Sequence, residues 1–423
     1  MTAIAGPRQR RRWWTPVVAL TDNHDFRLLW IGQMASELGS SVSSLALPLL
    51  ALSITGSRTL AGALATVSFV TMWLWALPGG YIADRFNGRT VMVLSDLARA
   101  LALGTVAISL PAGFASLWLL VLAGIVVGVA DMLFGPAIAR ALRAVVPREE
   151  IPEAVAISQA RSYAADLAGP AASGLLFAVG RAIPFGVDAV SYLASLGCTL
   201  RLRARLQPAE SPEGRLRFFP AVAAGWTHVR RDAFLMSSTV YSTVMNLAVS
   251  TLVFVLILGE GSGRRGAVIV GGALSLAAGA GLVGSLIAPA VQRRFGLRPV
   301  LVAVAATRAI LVLGAAVTDS PVALALALAS VVCLSPVSGA VLGAARMLLV
   351  PQQLFGRVTG TMSFIATTLQ PAAPLLAGLL IANLSQRDAL LTLVAAFGAL
   401  MLFAIGVPGF GVDIKASQAT STD

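Results

Sequence analysis

Apolar residues fall in runs of roughly 20, separated by short polar breaks, near 28–51, 60–83, 90–110, 116–138, 154–178, 184–201, 233–258, 266–290, 299–317, 321–344, 358–382 and 388–408. At about 1.5 Å per residue, a helix of that length crosses the roughly 30 Å of bilayer hydrocarbon. The pattern therefore predicts twelve transmembrane helices. Strands are disfavoured: lipid offers no partner to backbone N–H and C=O groups, and the alternating ten-residue segments of a membrane barrel do not occur.

Composition agrees, since 57% hydrophobic and 12% charged residues leave too few polar groups to cover a soluble globule of 423 residues. A net charge of +12 would suggest nucleic acid in a soluble protein, but its placement argues against that partner and for a topology signal. With both ends on one side of the bilayer, 23 of the 31 Lys and Arg fall on that side. Only Arg58, Arg181, Arg264, Arg265 and Arg387 fall on the other, and Arg99, Arg161 and Arg308 lie within spans. The positive-inside rule then puts both termini in the cytoplasm. The arginine-rich start, with Trp13 and Trp14, reads as a tail at the headgroup level rather than a secretory signal, because no short apolar core with a small-residue cleavage site follows it. Cys198 and Cys333 fall inside spans and form neither a disulfide framework nor a metal site, so no metal and no cofactor is expected.

Two internal echoes divide the chain. Gly80-Tyr81-Ile82-Ala83-Asp84-Arg85-Phe86-Asn87-Gly88-Arg89 is echoed 209 positions later by Gln292-Arg293-Arg294-Phe295-Gly296-Leu297-Arg298. Pro147, Pro170, Gly174-Leu175-Leu176 and Ala178 match Pro351, Pro374, Gly378-Leu379-Leu380 and Ala382 at a constant offset of 204. The expected organisation is a cytoplasmic tail at 1–27, six-helix bundles at 28–201 and 233–410, a cytoplasmic linker at 202–232 and a tail at 411–423. Within the linker, Phe218 to Arg231 has the composition of a short amphipathic surface helix, which makes His228 a surface residue; His24 is another. Parallel repeats of this kind place a cavity between the halves near mid-bilayer.

The residues resemble the major facilitator superfamily, and within it the branch of the enterobactin exporter and the macrolide efflux proteins. The resemblance is carried by Asn23-His24-Asp25-Phe26-Arg27-Leu28-Leu29-Trp30, Ala46-Leu47-Pro48-Leu49, Thr55-Gly56-Ser57, Pro78 to Phe86 and Ser95-Asp96-Leu97-Ala98-Arg99-Ala100. It implies an all-α membrane fold of twelve helices in two pseudo-symmetric bundles.

It also implies roles. The Gly80 to Arg89 hairpin resembles the signature loop between spans two and three, a conformational latch in which Gly80 allows close approach, Asp84 faces a helix N-terminus and Arg85 and Arg89 meet acceptors. The family commonly has Gly where this chain has Asn87. Ala165, Gly169, Pro170, Ser173 and Gly174 resemble the antiporter motif of span five, a pliable and tightly packed segment, with Ala165 and Ser173 standing where Gly is common.

Intramembrane charges mark the remaining candidates, because charge in hydrocarbon is costly: Glu37, Asp96, Arg99, Asp131, Arg161, Asp166, Asp188 and Arg308. Asp96 and Arg99, three apart on one helical face, are expected to pair, structurally or as part of the gate, and Asp131 and Arg161 are expected to share a depth on antiparallel helices and pair as part of the same gate. Glu37, near mid-bilayer on a hydroxyl-rich face with Ser36, Ser40, Ser41, Ser43 and Ser44, is the first candidate for proton coupling, and Asp166 the second. Arg308 has no acidic mate in its own half; an anionic substrate and Glu37 across the cavity are both open to it. Tyr163, Asn246 and Gln370 are further cavity candidates.

The expectation is a monomeric proton-coupled antiporter that exports a bulky amphipathic small molecule, such as a drug, macrolide or siderophore, with protons and membrane lipids as its other partners. An uptake symporter of the same fold, or a receptor or scaffold, is the alternative. No nucleotide-binding Gly-x-x-x-x-Gly-Lys-Ser/Thr loop and no nucleophile–base arrangement points to an enzyme.

Overall fold

The structure is a computed structural model that describes residues 23–147, 150–204, 206, 226–318, 320–350 and 352–410. Residues 1–22 and 411–423, and the expected amphipathic helix as far as residue 225, lie outside the described residues, whereas residues 24–27 of the expected tail belong to the first turn of α1. Thirteen named helices are described: α1 (His24–Thr55), α2 (Arg58–Arg85), α3 (Gly88–Ser109), α4 (Leu117–Val145), α5 (Ile151–Val179), α6 (Ile183–Leu200), α7 (Ala233–Glu260), α8 (Gly263–Arg294), α9 (Leu297–Thr318), α10 (Pro321–Leu349), α11 (Gln352–Thr368), α12 (Ala373–Asn383) and α13 (Gln386–Gly406). No strand occurs among the described residues.

Eleven segments of the described residues are long and apolar enough to cross a membrane, α11 and α12 counting as one. The helix missing from that set is α5, which has the length at 29 residues. Gln159, Arg161, Ser162, Asp166 and Ser173 dilute its apolar character. A span this polar is stable only where protein or a cavity covers it.

Two elements differ from the sequence expectation. The helix of span two continues through Arg85, so the loop shrinks to Phe86 and Asn87, and the Asn87 side chain caps α3 by accepting from Arg89 N at 2.9 Å. Span eleven is broken by a 3-10 turn at Gln370–Ala372, because Pro371 and Pro374 each remove a backbone donor within four residues. Span five carries Pro170 alone in the corresponding region and stays continuous.

Packing repeats between the halves. In the first, α1 packs on α5 and α6, α2 on α4, and α3 on α4 and α6. In the second, α7 packs on α11, α12 and α13, α8 on α10, and α9 on α10 and α13. We call the end of the bundle where α1 begins proximal and the other end distal. A collar ties the proximal end of the first half. Asn23 caps α1, accepting from Asp25 N and Phe26 N at 3.1 Å, and donates to Val145 O at 2.9 Å. Asp25 accepts from Arg203 N and Ala204 N at 3.1 and 2.8 Å, while Arg89 donates to Leu202 O and Ala204 O.

The halves meet backbone to backbone at the distal end. A Cβ on Gly174 would lie 2.3 Å from Ala267 O, and one on Gly271 2.3 Å from Pro170 O. On the opposite side, a Cβ on Gly62 would lie 2.3 Å from Pro374 O, and one on Gly378 2.7 Å from Arg58 O. These two contacts are copies of each other at the offsets of 204 and 209 residues found in the sequence. Hydrogen bonds reinforce both, from Ala171 N to Ser275 Oγ at 2.9 Å and from Leu375 N to Thr66 Oγ1 at 3.1 Å. Towards the proximal end α8 turns away to α10, with Gly284 against the Cys333 carbonyl. There α2 and α11 touch through the stacked rings of Trp73 and Phe364, 5.2 Å between centroids.

Valine at Gly174 or Gly378 has no room without separating two backbones, which is expected to cost about 1–3 kcal/mol. Thermal unfolding of purified protein should show a lowered midpoint for Gly174→Val and Gly378→Val. Gly314→Val, where a Cβ meets nothing within 4 Å, should leave the midpoint within a degree or so of wild type.

Candidate functional site

Five carboxyl side chains lie inside the spans of the first half, on α1, α3, α4, α5 and α6, and they form two clusters. In the first, Arg161 on α5 donates to Glu37 on α1 through Nε at 3.0 Å and Nη2 at 2.7 Å, a two-pronged pair, and Ser162 Oγ donates to Glu37 at 3.0 Å. The pair lines a cavity of about 290 Å³ that runs proximally past Gln33, Trp30, Phe26, Ser158 and Gln159. Asp166 is exposed one turn beyond Ser162 on α5 and does not line this cavity, so of the two sequence candidates for proton exchange only Glu37 sits in the ion pair.

The second cluster is buried but for the half-buried Asp131. Arg99 bridges two carboxylates, Asp96 Oδ1 at 2.5 Å and Asp131 Oδ1 at 2.7 Å. Its guanidinium is held between the rings of Phe134 and Tyr192, each centroid 4.4 Å away. Asp188 on α6 accepts from Ser43 Oγ on α1 and from Ser191 Oγ at 3.0 Å, and Tyr192 OH pairs with Ser40 at 2.9 Å. Gly39 makes this possible, because a Cβ there would lie 2.5 Å from Asp188 Oδ1. The expected Asp96–Arg99 pair is present. The expected pairing of Asp131 with Arg161 is not: Asp131 turns to Arg99 on its neighbour α3, and Arg161 is taken by Glu37. Depth along two antiparallel helices constrained height but not azimuth, and azimuth chose the partners.

An apolar cavity of about 330 Å³ adjoins this cluster, lined by Leu47, Phe69, Met72 and Phe185, with Asp131 and Tyr192 in its wall and Phe254 of the second half closing it. Phe69 and Phe254 meet edge to face at 6.1 Å.

In the second half, Arg308 on α9 is fully buried. It donates to Val331 O at 2.9 Å and Ser335 Oγ at 2.8 Å, and it touches the sulfur of Met245. Reach to Glu37 across the cavity, one of the two expectations for Arg308, is not observed. A cavity of about 300 Å³ lies beside it, lined also by Asn246, Gln370, Arg346 and several Ser and Thr hydroxyls. Asn246 spends its amide on Ala366 O at 3.1 Å. Tyr163 is half exposed on α5 and lines none of these cavities.

The small residues of span five work on two faces. A Cβ on Gly169 would lie 2.2 Å from that of Ser41, Ser173 Oγ donates to Val42 O at 2.6 Å, and Ala165 is buried, so this face seats α5 on α1. Pro170 and Gly174 seat it on α8 of the other half. At the hairpin, the backbone of Gly80 and Asp84 is helical, but their side chains lie outside the described residues. Arg85 is exposed, and Arg89 serves the collar.

Sequence reasoning missed Ser43, Ser191 and Tyr192 as partners of the Asp188 cluster, and Arg346 as a cavity residue. Ser191 and Tyr192 stand three and four residues after Asp188, one helical turn, a signal that was available. Arg346 sits in the last turn of α10, where a charge reads as topology.

The family profile described as Major Facilitator Superfamily matches residues 29–370. An uncharacterized MFS-type transporter, YfiS of Bacillus subtilis (strain 168), is 27% identical over 227 residues, which span 51% of this chain and 52% of that protein. The match thus covers about half the length of this relative. Among solved structures, a bacterial homologue of the iron transporter ferroportin in an inward-facing state aligns with a TM-score of 0.69 at 17% identity, over 90% of this chain and 97% of that one. The nucleoside transporter NupG aligns with a TM-score of 0.66 at 14% identity, over 90% and 98%. At such identities the likeness establishes the fold.

Removing one member of the Glu37–Arg161 pair strands the other in a half-buried site. Arg161→Gln is expected to destabilise the protein by about 3 kcal/mol. The double variant Glu37→Gln with Arg161→Gln should recover most of that loss, as read by a double-mutant cycle of unfolding midpoints.

Proposed function

Because the chain belongs to the major facilitator superfamily, we propose that it is a secondary active transporter, not an enzyme, exchanging protons for a bulky amphipathic small molecule and exporting it by alternating access. The observation that carries the reading is the Glu37–Arg161 pair, a half-buried carboxylate held by one arginine on α5, the helix that also carries Asp166 one turn beyond Ser162. A proton arriving on Glu37 changes what Arg161 must neutralise, and Arg161 belongs to the helix that packs against the other half. Proton occupancy and the relation of the halves are thereby linked through α5.

Membership of the branch of the enterobactin exporter and macrolide efflux proteins, and a drug, macrolide or siderophore as cargo, rest on the sequence motifs. Outward direction rests on the motif Ala165 to Gly174, whose second face lies on α8. We further propose a bacterial inner-membrane location with the proximal end and both termini cytoplasmic, as the arginine distribution supports, and a monomer of two six-helix domains at 28–201 and 233–410. The distal backbone contacts then close the outer side while the cavities are reached from the cytoplasm. Asp84, Arg85 and the Asp96–Arg99–Asp131 cluster act as the cytoplasmic gate.

In proteoliposomes with an imposed pH gradient, a panel of lipophilic cations, macrolides and siderophores should include at least one compound carried against its gradient. Glu37→Gln and Asp166→Asn should each lower proton-driven flux at least tenfold while counterflow without a gradient persists. Uptake with the proton gradient would establish the symporter instead. Unchanged coupling in both variants would remove this site from the mechanism.

A further inference from the structure

The second half contains the reverse electrostatic situation to the first. Among the described residues of α7–α13, carboxylates occur at Glu260, the last residue of α7, and Asp388, in the first turn of α13, both at the distal end. Arg308 sits eleven residues into α9, and Arg346 reaches the same cavity from the proximal end of α10. Neither has an acidic partner among the described residues, and the Nε of each makes no hydrogen bond.

What Arg308 does for the fold is donate hydrogen bonds to Val331 O and Ser335. A neutral donor would serve there, and an unneutralised buried cation is costly. The charge is therefore the part of this side chain that the fold itself does not use. The cavity beside it is polar, and Asn246 and Gln370 stand in its wall. One turn along α7 from Ser250 of this cavity is Phe254, which closes the apolar cavity lined by Phe69 and Met72. A polar, cationic chamber and a greasy one thus adjoin along a single helix.

We infer that the ligand is an anionic amphipath, whose carboxylate or phosphate is neutralised by Arg308 and Arg346 and whose apolar body lies against Phe254, Phe69 and Met72. This deepens the transport reading above and rests on it for the word substrate; the binding site itself does not depend on direction or coupling. A planar guanidinium offers paired donors that match either anion. Arg346 at the proximal mouth meets the anion first and Arg308 holds it at mid-bilayer. Selectivity against a cation of the same shape follows from like-charge repulsion at Arg308 and Arg346, because Asp131 in the wall of the apolar cavity is already paired with Arg99.

The test is direct binding by the purified, intact protein in detergent, using benzoate and phenyl phosphate as anionic probes, benzylammonium as the cationic probe and benzyl alcohol as the neutral one. Both anions should raise the unfolding midpoint of the wild type in a saturable way, and the cation and the alcohol should not. Arg308→Gln should weaken the anions by at least tenfold, Arg308→Lys should retain part of the response, and Arg346→Gln should weaken them without lowering the unliganded midpoint. Should Arg308→Gln fail to fold, the Lys and Arg346 variants still decide the matter. Equal response to benzylammonium, no response to either anion, or full anion binding in Arg346→Gln together with whichever Arg308 variant folds would overturn the inference. Proton-driven export without anion binding defeats this inference alone, whereas anion binding without proton-driven flux defeats the antiporter reading and leaves the site standing.

Discussion

Two backbone-to-backbone contacts hold the halves of this protein in register, and the rest of the arrangement depends on them. Gly174 and Gly271 let α5 and α8 approach until each helix touches the other's carbonyls, and Gly62 and Gly378 do the same for α2 and α12. In lipid there is no hydrophobic drive to push helices together, so close van der Waals approach at small residues is what associates them. Both contacts lie on the distal side, and both are copies related by the internal repeat. A molecule joined at one end by two equivalent seams has its natural freedom at the other.

The seams also decide where charge can be kept. Away from them the halves meet through ring contacts such as Trp73 with Phe364 and Phe69 with Phe254, and polar side chains of each bundle line cavities. The first half holds five carboxyls against Arg99 and Arg161 in its spans, and the second holds Arg308 with no carboxylate inside its spans. A buried charge needs a partner of the other sign, fixed or mobile. In the reading proposed above, protons exchange at the first half's carboxyls and an acidic ligand answers the second half's arginines. Segregating the two keeps the carboxyls from neutralising the arginines permanently, which is what a site that must release its ligand needs.

Much of this was legible in the sequence, for physical reasons that also set the limit. Span length is fixed by bilayer thickness, so the twelve runs were countable, and the repeat offset of 204 residues named Pro170, Gly174, Pro374 and Gly378 at the seams, though not their partners Gly62 and Gly271. Asn23 and Asp25, read as a family motif, turned out to be a cap and a collar. Ion-pair partners were not legible. Asp131 chose Arg99 and Glu37 chose Arg161 through helix rotation and tilt, which no one-dimensional spacing reports. The break of span eleven was written in Pro371 and Pro374 but hidden by the even hydropathy around them.

The central claim is a pair of bundles closed at the distal glycine seams that rock to part there as the proximal side closes, and distance measurement across the α5–α8 face tests it most directly. Spin labels at residues 155 and 287 report the proximal side, and labels at 179 and 268 the distal side, in a background without Cys198 and Cys333. The account predicts reciprocal changes when the protein is moved between neutral and acid pH: the proximal pair draws together as the distal pair separates. Two distance distributions that stay fixed, or that widen and narrow in the same sense, would contradict it.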